Sequence, residues 1–110
     1  MPENTPSPPP DHLQPATKAW WKQIVADFEL ESQHLRLLQA ACESWDRLQS
    51  ARAVLDRDGI SYLDRFGAPR ARPEVAVERD SRIAFARLVR ELVLDGAGTP
   101  EAPRPPAIAR

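Results

Sequence analysis

Cysteine, glycine and histidine are nearly missing from this chain. Cys42 is the only cysteine among 110 residues, which excludes an intramolecular disulfide and a cysteine-based zinc cluster. It falls on an apolar helical stripe, where a buried, inert thiol is expected. The four glycines, Gly59, Gly67, Gly96 and Gly98, form no phosphate-cradling loop. His12 and His34 have no partners at metal or catalytic spacing and are expected at the surface. No metal site, no cofactor and no catalytic residues can be named, and an enzyme is not expected. No apolar run approaches the roughly 20 residues needed to cross a bilayer. The opening MPENTPSPPP is neither basic nor apolar and does not read as a signal peptide. What is left is a soluble, intracellular binding or assembly protein without a membrane partner.

Proline is scarce only in the middle. Of the 12 prolines, all but Pro15, Pro69 and Pro73 lie near the two ends. Residues 1–12 and 96–110 are therefore expected to be disordered Pro-rich tails around one domain of residues 13–95. A domain that small has a thin core, and oligomerisation would help it.

Within 13–95 the apolar residues fall at helical spacing. Pro15 suits a first helical position, and Trp20, Trp21, Ile24, Val25 and Phe28 then form one face of a short amphipathic helix. Tryptophans so placed are expected in the core. Ser32 is positioned to cap a second helix. Leu35, Leu38, Cys42, Trp45, Leu48, Arg52 and Leu55 run along it, with Glu43 and Arg47 as an i,i+4 pair. Gly59 supplies its stop. Pro73 opens a third helix ending near Gly96, with Glu78–Arg82 and Arg87–Glu91 as i,i+4 pairs. Its apolar arc is too broad for one contact and is expected to be covered from two directions. The second cover is assigned to another copy of the chain, through Phe85, Leu88, Val89, Leu92 and Val93.

Between the second and third helices, Ile60–Leu63 is rich in β-formers, and Phe66-Gly67-Ala68-Pro69 is a turn signal. Gly59–Arg72 reads as a small β-like hairpin. A lone hairpin is marginal in water and has to pack on the helices or on a neighbouring subunit. The expected fold is all-α: a long helical hairpin, a short N-terminal helix at one end and the β-like excursion at the other.

The formal charge is only -1, and 13 of the 15 basic residues are arginine. Abundant alanine and proline beside them fit a GC-rich genome, so only arginine placement is informative. The excursion carries Arg65, Arg70 and Arg72 against a single acid, Asp64, whereas the chain up to Glu31 has five acids and two lysines. One such excess would hold DNA poorly, because affinity comes from neutralising many phosphates together. Repeated around a closed ring, it becomes a belt. The alternative is that these arginines pair with Glu29, Glu31 or Asp64 within or between subunits.

The ordered series KAWWKQIVADFEL, HLRLLQAACESWDR and RDGISYLDRFGAPRARPEVAVERDSRIAFARLVRELVLD resembles the small terminase subunit of tailed double-stranded-DNA bacteriophages, in its compact siphophage group. The likeness spans about Leu13 to Asp95. Arg72 stands where members often have a histidine before the proline, and the segment after the last helix is short. The resemblance implies a non-enzymatic DNA-packaging factor of the host cytoplasm. Such subunits form homo-oligomeric rings, recognise double-stranded viral DNA and deliver it to the large terminase subunit, which holds the ATPase motor and nuclease. DNA contact is then expected at Arg65, Arg70 and Arg72, with Lys18 and Lys22 as second choices. Two rival readings are a small helix-turn-helix DNA-binding regulator and a structural adaptor that does not bind DNA.

Overall fold

A computed structural model describes residues 7–94. In it the chain forms α1 (Pro15–Asp27), α2 (Ser32–Asp58), β1 (Ser61–Leu63), β2 (Pro69–Ala71) and α3 (Pro73–Leu94). The all-α hairpin with its small ribbon is thus the observed architecture. No helix among the described residues is long and apolar enough to cross a membrane.

α2 and α3 run antiparallel, as their cross-contacts show. Arg52 Nε donates to Glu78 Oε2 at 3.0 Å, Trp45 and Phe85 have ring centroids 5.0 Å apart, and Leu38 shares a buried cluster with Leu92. As the α2 partner moves back along its helix, the α3 partner moves forward. Ala41, Ser44 and Ala51 on α2 and Ser81 on α3 are small and buried, and small side chains let packed helix axes come close. Arg52, the polar member of the α2 stripe, thus spends its charge on α3. The Glu78–Arg82 pair also forms, at 3.6 Å.

α1 folds back on the N-terminal half of α2. Asp46 accepts from the Gln14 N–H at 2.9 Å and from the Thr17 hydroxyl. A carboxylate is thereby set at the positive end of α1, where the helix dipole favours it. Trp21 is buried with Leu13, Leu38, Cys42 and Leu92, the centre of the core. Its indole Nε1–H donates to the Ser7 carbonyl at 2.9 Å.

Three sequence expectations are modified. His34 is buried, not at the surface: its Nδ1 accepts the Glu31 N–H at 3.0 Å, so the ring folds back over the start of α2. Glu31, not Ser32, is the capping residue, and Glu31 and His34 form a reciprocal box. Glu43 makes its direct contacts with His12 and Gln39, accepting from His12 Nε2 at 2.8 Å and Gln39 Nε2 at 3.0 Å, while Arg47 acts on it only through its charge. The Gln39 bond, with His12 beside it, holds the Glu43 carboxyl below its ordinary range. These contacts also give residues 7–12, read as tail, a defined place against α1 and α2. The rest of the tail expectation, 1–6 and 96–110, lies outside the described residues.

Cys42 is fully buried. Burial first, then the nearby Asp46 and Glu43 carboxylates, push its thiol up to about 12. It is inert in the folded chain.

Candidate nucleic-acid interface

The hairpin stands at the α2–α3 end away from α1. Gly59 ends α2 with φ +88°, a conformation that side chains with a Cβ rarely adopt, and its N–H closes the last turn onto Leu55 O at 2.8 Å. The strands pair antiparallel, with Ser61 opposite Ala71, Tyr62 opposite Arg70 and Leu63 opposite Pro69. The cross-strand bonds fall at Arg72 N–H to Ile60 O and Asp64 N–H to Ala68 O, so the Leu63–Pro69 pair lies between hydrogen-bonded pairs and Pro69 has no ladder bond to break.

Asp64 builds the turn. Its Oδ1 accepts from the Phe66 and Ala68 N–H groups at 2.8 and 2.9 Å, and its Oδ2 accepts from Arg70 Nε at 2.9 Å. The Ala68 amide, then Arg70, then the Phe66 amide hold this carboxyl below its ordinary range. Gly67 completes the bend with φ +79°. The result places Arg65 and Phe66 at the extreme tip, with the Arg65 guanidinium 5.0 Å from the Phe66 ring centre.

Side chains alternate across a strand, so the ribbon has two unlike faces. Tyr62, Arg70 and Arg72 share one face; Leu63, Pro69 and Ala71 share the other. The protomer covers neither. Leu63 is 69% exposed and Phe66 79%, so packing on the protomer's own helices, one of the two options for the hairpin, does not occur.

The three arginines differ in what they already hold. Arg70 pairs with Asp64. Arg72 donates through Nε to Gly59 O at 2.9 Å and through a terminal nitrogen to Asp58 O at 3.1 Å. Its guanidinium also lies 5.8 Å from the Tyr62 ring centre. A cation there meets the negative end of the α2 dipole and clamps the hairpin base. Arg65 makes no ion pair among the described residues. Among the described residues of the one protomer, Glu29 and Glu31 pair with none of the three, and Asp64 pairs with Arg70.

Lys18 and Lys22 lie on α1 and do not join this group. The start of α1 is level with Asp46, and about 18 Å of helix rise separates Asp46 from Asp58. The apolar arc of α3 is divided. Leu92 is in the core, and Phe85 lies between Trp20 at 5.8 Å and Trp45 at 5.0 Å. Leu88 and Val89 are half-buried, and Val93 is 47% exposed, as Ile83 is at 45%. Part of the second cover on α3 is therefore α1 and the segment before it, within the same chain.

Sequence reasoning took Phe66 only as part of a turn signal. The clue it offered was a large apolar residue between an arginine and a glycine, where no core can form. Asp64 at the head of a turn was a further signal, since aspartate bonds its own backbone two residues on.

The described residues thus form a helical hairpin that holds out one cationic, two-faced ribbon. Residues 17–101 match the family of the phage terminase small subunit, and the chain belongs to that family. Neither curated proteins nor solved structures gave a match. Family membership gives the protein a general role in phage DNA packaging, in a family that works with phage DNA and the large terminase subunit and is generally non-catalytic.

Proposed function

We propose that the protein recognises viral DNA as a closed homo-oligomeric ring and delivers it to the large terminase subunit. The observation carrying this reading is the hairpin, which holds out arginines and apolar side chains that its own protomer leaves uncovered. Repeating it about a symmetry axis turns a weak cationic spot into a continuous belt.

Arg65, Arg70 and Arg72 make the main DNA contact. Arg70 commits only Nε to Asp64 and keeps both terminal nitrogens for phosphate, while Arg72 keeps one. Lys18 and Lys22 form a second, separate set on α1. These contacts position DNA without reading bases, so site preference comes from the shape of the DNA or from residues other than these. Subunits meet through α3, with Val93 outermost and Phe85, Leu88, Val89 and Leu92 behind it.

The test is anisotropy of labelled duplex DNA across a salt series. Wild type is expected to bind with a steep salt slope, and the Arg65→Ala/Arg70→Ala/Arg72→Ala variant to lose most of both affinity and slope. A variant that keeps both would move the contact elsewhere. An assembled wild type without salt-sensitive binding would favour the adaptor reading.

A further inference from the structure

A second feature of the protomer is an apolar groove at the junction of all three helices. It is lined by Ala16, Thr17, Trp20, Trp45, Phe85 and Val89 and encloses about 340 Å³. Cavities of about 150 Å³ lined by apolar side chains already accept benzene, so this one holds a phenyl ring with room beside it. Aromatic rings meet well at tilted angles, and Trp20, Trp45 and Phe85 are already arranged that way.

The chain's own hairpin does not reach this groove. Trp45 lies 13 residues before Asp58 and Phe85 lies 12 after Pro73, so about 18–20 Å of helix rise separates the groove from the hairpin base. The tip extends further away still. A second copy has no such restriction.

We propose that Phe66 of one subunit seats in the Trp20–Trp45–Phe85 groove of the next. This inference rests on the ring reading and names the contact that closes it. The contact is heterologous: tip and groove are different surfaces, so each subunit gives one and receives one, and the chain of contacts closes if the rotation allows.

Charge supports the same pairing. The hairpin is the most cationic segment, and Arg65 beside Phe66 makes no ion pair among the described residues. The α1 wall of the groove belongs to the acidic first part of the chain, five acids against two lysines up to Glu31, and Thr17 in that wall is hydrogen-bonded to Asp46. Such complementarity steers encounter and fixes register. Area is consistent as well. A buried aromatic contributes roughly 150–250 Å², and exposed Leu63 adds to it. That covers part of the roughly 800 Å² per partner of a stable interface, leaving the remainder to exposed Ile83 and Val93 on α3. An aromatic anchor in a pocket is how binding energy is usually concentrated. Seating the Phe66 ring leaves the Tyr62–Arg70–Arg72 face free for DNA and sets Arg65 at the border between the two contacts.

The test compares full-length wild type with Phe66→Ser by native mass spectrometry, and mixes separate Arg65→Cys and Val89→Cys proteins, both of which keep the Phe66 ring, with a short bis-maleimide. Cys42 is buried and provides the unreactive background. Expected results are an assembled wild type, a Phe66→Ser protein that is monomeric with unchanged helicity, and a covalent heterodimer only in the mixture. An assembled Phe66→Ser protein with no cross-link overturns this contact and leaves the ring intact; a monomeric wild type overturns the ring reading itself. A third arm follows tryptophan emission on dilution, which should shift in wild type and not in Phe66→Ser. If removal of residues 97–110 causes the shift and Phe66→Ser does not, the groove holds the chain's own tail and the inference fails.

Discussion

Asp64 and Arg70 meet at 2.9 Å across the mouth of the hairpin turn, and the same carboxylate receives two backbone N–H groups of the loop. One side chain therefore fixes the shape of the tip and the direction of a candidate DNA-binding arginine.

The state of Asp64 should make hairpin order depend on pH. Its folded value is depressed, chiefly by the Ala68 amide. Its contribution is thus complete above the ordinary aspartate range near ~4 and is lost as pH falls through the lower folded value. The amide resonances of Phe66 and Ala68 should titrate together in that acid window. In Asp64→Ala they should appear loosened at every pH, with the helices unaffected. Titration of the helical amides at the same point would mean that the hairpin is not an independent unit.

Arg72→Lys should separate charge from geometry. Lysine keeps the charge but lacks the fork that reaches Gly59 O and Asp58 O, and it stacks poorly on Tyr62. Losing those two bonds costs on the order of 1 kcal/mol each. The variant should bind DNA several-fold more weakly with the wild-type salt slope, whereas Arg72→Ala should lower affinity and slope together. Equal slopes in both variants would show that Arg72 only holds the hairpin.

Core and tip should respond very differently in urea unfolding at dilute, monomeric concentration. Leu38 is completely buried, and Leu38→Ala should cost about 2–5 kcal/mol through lost burial and a residual cavity. Phe66→Ser removes a side chain that touches little within the protomer and should stay within about 0.5 kcal/mol of wild type. A large loss from Phe66→Ser would place that ring inside the protomer's own core.

Much of this fold is written in local sequence. Pro15 and Pro73 each open a helix, Gly59 ends one, and the run from Ser32 to Asp58 carries neither proline nor glycine. Periodicity correctly put Leu38, Cys42 and Leu48 inside. The misreadings concern side chains that act over a distance. His34 is polar, yet it turns back as a helix cap; Glu43 prefers His12, 31 residues away, to Arg47. The arc of α3 showed that two covers were needed, but not that Trp20 and Leu13 of the same chain supply part of one. The arginine excess on the hairpin was legible from composition alone. Its division into a clamp, a paired arginine and a tip arginine was not, because it depends on the positions of Asp64 and the last carbonyls of α2.

The central claim is that symmetry multiplies one small cationic ribbon into a surface able to hold DNA. Native mass spectrometry of the full-length protein across concentration tests it most directly. The account predicts one closed oligomer of more than two copies, present without DNA. A protein that stays monomeric or dimeric at every concentration would contradict it.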